Sequence, residues 1–217
     1  MTTPAELRAR LAADYAPVRP LPPPFVRAMW VAPFALLALI AAPAFFSVRV
    51  DAPQLGWFLT WGMSLVQLSL GFVVIAAALR ESVPGRGWTP AQLMLWLAGP
   101  VLVVMVITVA SAASSAIPLS RPAWWQVGAM CLTGSAAMAL PIVALANVLA
   151  IRAYPTRPLV TGTLLGLGAG VMADAGWRIF CHFGEPAHVL SAHLGGVVVS
   201  GVVGACLSIR LKADTTG

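Results

Sequence analysis

Residues 29–46 read MWVAPFALLALIAAPAFF and contain no charged side chain. An α-helix needs about 20 apolar residues to cross the hydrocarbon core of a bilayer, and this run is close to that length. Five more apolar runs of similar length begin near Trp57, Pro90, Trp124, Val160 and Leu190. The pattern predicts an all-α polytopic membrane protein, a bundle of six transmembrane helices joined by short loops.

The composition and the placement of charge support a membrane-embedded chain. Of its 217 residues, 59% are apolar and 9% charged, whereas soluble domains contain about 25% charged residues. Ten of the 13 basic residues precede the first run, follow the second or fourth, or follow the sixth. The other three, Arg49, Arg121 and Arg178, lie on the opposite side. By the positive-inside rule both termini are cytoplasmic, and the net charge of +6 reflects topology rather than direct binding of nucleic acid.

The apolar runs divide the chain into three segments. Residues 1–28 form a cytoplasmic N-terminal segment, residues 29–209 the transmembrane domain and residues 210–217 a short cytoplasmic tail. A short amphipathic helix is predicted from Pro4, with Thr3 as its cap and Glu6 completing a capping box. An apolar stripe recurs every four residues along it, at Leu7, Leu11 and Tyr15. Because so short a helix is marginal alone in water, we expect it to lie on membrane lipid or a partner protein.

Two of the three cysteines fall toward the outer face. Cys131 lies in the fourth run, and Cys181 lies in an outer loop predicted at residues 177–189, followed by His182. They can be unrelated thiols, a reactive or disulfide-bridging pair, or a soft-metal site formed by Cys131, Cys181 and His182. His188, seven residues after Cys181, could also fold back to such a site, although the spacing is not a zinc signature. Cys206, among apolar neighbours near the inner end of the sixth run, is interpreted as a small packing residue.

Few other side chains are candidates for a catalytic or ion-binding role. Asp174 and Arg178 are one helical turn apart near the outer end of the fifth run, and a structural ion pair is favoured over an ion path. The sequence has no Gly-x-Ser-x-Gly, His-Glu-x-x-His or Cys-x-x-Cys motif. These observations predict a protein that is not an enzyme.

Several stretches in order along the chain resemble one known family, the NrsF-type anti-sigma factors. These are six-span inner-membrane proteins that hold extracytoplasmic-function sigma factors inactive. The stretches are Glu6–Leu21, Ser82–Arg86, Pro155–Gly166 and Phe180–His193. Cys131 and Cys181 match the family's cysteine positions. The family usually has His-Cys-Pro at the second cysteine, where this chain has Cys181-His182-Phe183.

The resemblance implies that the two faces of the membrane have different functions. The N-terminal segment would bind an extracytoplasmic-function sigma factor at the bacterial inner membrane, through Leu7, Leu11, Asp14, Tyr15 and Val18. Cys131 and Cys181 would sense a heavy metal or an oxidant on the outer side, and sigma would then be released. No cofactor is implied, apart from a transient soft-metal ion at the cysteines.

Two other classes of protein fit the residues. A thiol-dependent membrane oxidoreductase would cycle Cys131 and Cys181 with a soluble partner, and a small metal or solute transporter would use Asp174 and the histidines. Neither gives the stripe of Leu7, Leu11 and Tyr15 a role. Deletion of residues 1–20 therefore separates both classes from a sigma-binding protein.

Overall fold

The computed structural model describes residues 3–13, 20–114 and 121–216, giving the backbone alone for 121–124 and 214–216. Within these ranges the chain is almost entirely helical and has no strand. Besides a short N-terminal helix, Pro4–Ala13, six helices are long and apolar enough to cross a membrane. We number them span 1 (Pro24–Phe46), span 2 (Ala52–Glu81), span 3 (Pro90–Ser114), span 4 (Trp125–Ile151), span 5 (Pro158–Phe180) and span 6 (Pro186–Ala213). The prediction of an all-α, six-span bundle is confirmed.

Four spans begin at a proline: Pro24, Pro90, Pro158 and Pro186. Proline suits the first position of a helix, where its fixed φ is already helical and no N–H is needed. Span 1 therefore starts at Pro24 rather than near Met29, and span 6 starts at Pro186 rather than near Leu190.

The loop between spans 5 and 6 is shorter than predicted, since it comprises residues 181–185 and not 177–189. Trp177 and Arg178 are the reason, since both are buried in the bundle as part of span 5. Arg178 stays in the helix because Asp174, four residues earlier, pairs with it at 3.1 Å. A buried charge that is paired and hydrogen-bonded need not leave the apolar interior.

Span 5 is the central helix, and every residue from Leu164 to Ile179 is buried. Its glycines allow span 6 to approach backbone to backbone. A Cβ at Gly162 would meet the Gly204 carbonyl oxygen, and one at Gly166 would meet that of Ser200. The small residues four apart therefore form the packing face predicted for spans 5 and 6.

Polar contacts tie together the end of the bundle where spans 1, 2 and 5 meet the N-terminal segment. Arg27 is buried, and its Nη2 donates to the Leu79 carbonyl oxygen at 3.2 Å and to Ser82 Oγ at 3.3 Å. Glu81 pairs with Arg157, the residue that precedes span 5. The start of span 1 is thus fixed to the end of span 2.

Candidate functional site

Cys131 and Cys181 meet at the end of the bundle opposite Arg27. Cys131 lies in span 4, and Cys181 is the first residue after span 5. Both are buried, and their Sγ atoms are 3.6 Å apart. The short loop allows this contact, since the chain turns directly from span 5 into span 6 and keeps Cys181 level with Cys131.

Two histidines of span 6 complete a compact group with these thiols. His188 Nε2 lies 3.4 Å from Cys181 Sγ. One potential metal-binding atom from each of Cys131, Cys181, His188 and His193 lies within 4.8 Å of the others. All four residues are buried, and we call them the thiol–imidazole cluster.

The backbone of span 6 explains how both histidines reach the cluster. They are five residues apart, which in a regular α-helix would set them about 140° apart around the axis. Residues Val189–His193 instead form a π-helical turn, whose wider winding brings residues five apart onto nearly the same face. Such turns occur often at functional sites.

His182, which the sequence places next to Cys181, lies apart from the cluster. Its ring packs against Phe183 with a centroid distance of 4.1 Å, and it contributes none of the four ligand atoms.

Cys206 also differs from expectation. Its side chain is exposed on the surface of the bundle, so its interpretation as a packing residue is wrong.

A second polar group, which we call the Asp174 network, adjoins the cluster through His193. Asp174 Oδ1 lies 2.7 Å from His193 Nδ1, and Asp174 Oδ2 accepts from Gln67 Nε2 at 2.6 Å and from Arg178 Nε at 3.1 Å. Arg178 Nη2 in turn donates to Thr108 Oγ1 at 2.8 Å. The network therefore contains more than the expected ion pair of Asp174 with Arg178, and it links spans 2, 3, 5 and 6.

The surroundings of Cys181 favour its thiolate. The hydrogen bond with the Cys131 thiol holds the pKa of Cys181 well below its ordinary range, against the effect of burial. His193 and His188 act in the same direction as that bond. Because the thiolate is the form that binds metals and attacks oxidants, these contacts favour reaction at Cys181.

The predicted sigma-binding residues lie on the N-terminal helix and just after it. Thr3 N donates to Glu6 Oε2 at 2.8 Å and Glu6 N donates to Thr3 Oγ1 at 3.3 Å, so the helix starts with the predicted capping box. Leu7 and Leu11 are 54% and 63% exposed. Their apolar side chains are therefore open to a partner surface. Asp14, Tyr15 and Val18 fall outside the described residues.

Sequence reasoning overlooked His193 as a member of the cluster, and Gln67 and Thr108 as parts of the Asp174 network. An α-helical projection separates His193 from His188, so only foreknowledge of the π-helical turn would unite them. Gln67 carried a usable signal, because an amide deep in an apolar span requires a polar partner.

Comparison with known protein families identifies a match over most of the chain. The family model described as "NrsF: Negative regulator of sigma F" matches residues 11–212. No curated protein matches, and no solved structure does.

Proposed function

The chain belongs to the NrsF family of negative regulators of sigma F, and from that premise we propose that it is a membrane-bound anti-sigma factor controlled by its outer thiols. It holds an extracytoplasmic-function sigma factor at the bacterial inner membrane. It releases that factor when Cys131 and Cys181 react with a heavy metal or an oxidant. The family supports a regulator rather than an enzyme.

The distribution of arginine and lysine supports an orientation. The end of the bundle that carries Arg27, Arg80, Arg86 and Arg157 is richer in basic residues than the end that carries Arg49. The positive-inside rule places the basic end, with the N-terminal helix, in the cytoplasm. The thiol–imidazole cluster then faces the periplasmic side, where disulfides persist.

The N-terminal helix supplies the surface for sigma. Leu7 and Leu11 form an exposed apolar pair on a helix too short to be stable without a surface to cover them. An amphipathic helix that lays such a face into a groove of its partner is a common mode of recognition. The basic end of the bundle adds a cavity of about 470 Å³ lined by Leu21, Pro22–Pro24, Arg27 and Arg86, among others.

Two chemical events at Cys131 and Cys181 can act as the signal. An oxidant can take two electrons from the thiols, which lose two protons and form one disulfide bond. A soft metal ion can instead replace the thiol protons. To change sigma from about 99% bound to about 1% bound, either event must favour the release state by about 5.5 kcal/mol.

The observation that carries this proposal is the contact of the two buried thiols, 3.6 Å apart, at the end of the bundle opposite Arg27. Thiols so placed can sense a signal on one side while the other side holds the partner. No contact of sigma with the cluster itself is then required.

Copurification from membranes tests the anti-sigma activity. We expect the full-length protein to retain an extracytoplasmic-function sigma factor, and a chain lacking residues 1–20 to lose it while still inserting in the membrane. The absence of sigma from both samples would contradict the proposal. Redox cycling or vesicle transport that survives the deletion would indicate one of the other two classes.

A further inference from the structure

We infer that Cys131, Cys181, His188 and His193 form a closed four-coordinate site for a zinc-group divalent ion, Zn²⁺ or Cd²⁺. The site itself is argued from the geometry of the cluster, whereas its role as the trigger rests on the proposed function. His182 takes no part in it.

The spacing of the four side chains matches tetrahedral coordination. With Zn–S bonds of about 2.3 Å and Zn–N bonds of about 2.0–2.1 Å, a tetrahedron has S···S edges of about 3.8 Å and S···N edges of about 3.6 Å. The thiols of Cys131 and Cys181 are 3.6 Å apart, and His188 Nε2 is 3.4 Å from Cys181 Sγ. Small side-chain adjustments would therefore place one ion within reach of all four ligand atoms.

His193 is oriented as a metal ligand usually is. A metal-binding histidine typically gives its other ring N–H to a carboxylate, which fixes the ring and its tautomer. Here His193 Nδ1 lies 2.7 Å from Asp174 Oδ1. Its Nε2 is buried and has no hydrogen-bond partner among the described residues. Asp174 is thus a positioning residue, and the unpartnered nitrogen is available to an ion.

The donor set decides which ions fit. Two thiolates and two imidazoles suit zinc-group ions, whereas magnesium and calcium prefer oxygen ligands, which the four residues do not provide. When one divalent ion binds, each cysteine thiol loses its proton to solvent, so the two thiolates balance the charge of the ion. Four protein ligands leave no open position, as in structural rather than catalytic sites.

Titration of the reduced, full-length protein in detergent with Cd²⁺ alone tests the site. We expect one ion per chain, a sulfur-to-cadmium charge-transfer band, and two sulfur plus two nitrogen ligands by X-ray absorption. His188→Gln and His193→Gln should each weaken affinity by about 100-fold or more, above the usual loss for an outer-shell partner. His182→Gln is the matched control and should bind as the wild type does.

Coordination by sulfur alone, or half an ion per chain, would overturn the inference. It would also fail if the His188 and His193 variants kept wild-type affinity, or if His182→Gln lost as much affinity as they did. The spectrum of the wild-type protein tests the site even if the variants fail to fold. Since the titration contains no sigma factor, a protein that binds Cd²⁺ as described but never binds sigma would refute the proposed function alone.

Discussion

At the scale of single residues, Asp174 has the densest set of polar contacts near the cluster. Its carboxylate is fully buried and meets Gln67, Arg178 and His193, which lie on three different spans. Within the described residues these contacts account for both of its oxygens. A buried carboxylate of this kind stabilises the bundle only while its partners remain in place.

Replacement of Asp174 by Asn should therefore destabilise the protein strongly. The change leaves Arg178 buried without its counter-charge, and removal of one partner from a buried pair costs about 3–5 kcal/mol. Thermal unfolding in detergent measures the loss. Glu185→Gln, a similar change at an exposed position, should have almost no effect. Equal stability of the two variants would show that the network contributes little to stability.

The cysteines allow a second residue-scale prediction. Cys131→Ser and Cys181→Ser should each abolish the induction of a sigma-dependent reporter by cadmium, because one remaining thiol cannot form the pair. Cys206→Ser should respond normally, since Cys206 is exposed on the far part of span 6. Normal induction in either of the first two variants would contradict sensing by the pair.

Sequence reasoning reached these residues only in part. Cys131 and Cys181 could be paired in advance because topology brings both to one face, and the family resemblance points to the same positions. Their neighbours could be chosen only in part. Adjacency in sequence favours His182 with His188 as a further candidate, whereas His193 joins the cluster through the π-helical turn. A π-helical turn has no periodic pattern in the amino-acid sequence, so periodicity cannot predict it.

At the scale of elements, the glycine face between spans 5 and 6 sets how closely the two helices approach. A Cβ at Gly166 would press on the backbone of Ser200 and Gly201. At Gly128, in span 4, a Cβ would meet no described atom within 4 Å. The same substitution should therefore act in opposite directions at the two sites.

Gly166→Ala should lower stability by about 1–3 kcal/mol, the usual cost of overpacking a tight core. Gly128→Ala should raise it by about 0.5–1 kcal/mol, because alanine loses less entropy in a helix than glycine does. Unfolding in mixed detergent and SDS measures both variants. A loss at Gly128 as large as that at Gly166 would argue against close packing of spans 5 and 6.

The N-terminal helix is the element assigned to sigma. Leu7→Glu combined with Leu11→Glu should reduce sigma binding by at least about 100-fold, because burial of two leucine side chains contributes roughly 3 kcal/mol or more. The melting temperature of the bundle should not change, since both side chains are exposed. Ala9→Glu, on the other side of the helix, is the control. Undiminished binding by the double variant would place the sigma surface elsewhere.

The element-scale features were largely readable from sequence, in contrast to the site. Apolar runs of membrane length and small residues four apart are periodic signals, and the six spans and their glycine face follow from them. The end of span 5 and the start of span 6 could not be predicted from the sequence. Trp177 and Arg178 look like loop residues until Asp174 is known to hold Arg178 inside the bundle.

At the scale of the whole molecule, the structure has polar contacts at both ends of a mainly apolar bundle. The cluster and the Asp174 network connect spans 2 to 6 at one end, and the Arg27 contacts fix spans 1 and 2 at the other. Span 2 takes part in both, through Gln67 and the Leu79 carbonyl oxygen. A shift of span 2 is therefore the simplest physical means by which ligation at the cluster could alter the opposite end of the bundle, where we propose that sigma binds.

We propose that ligation of the outer thiols lowers the affinity for sigma at the opposite end of the bundle. The most direct measurement is the affinity of the full-length protein for its sigma factor in lipid nanodiscs, with and without Cd²⁺. We predict a fall of up to about 10⁴-fold on addition of the ion, and no fall in the Cys131→Ser, Cys181→Ser double variant. Tight binding of sigma by the wild-type protein that Cd²⁺ leaves unchanged would contradict the claim.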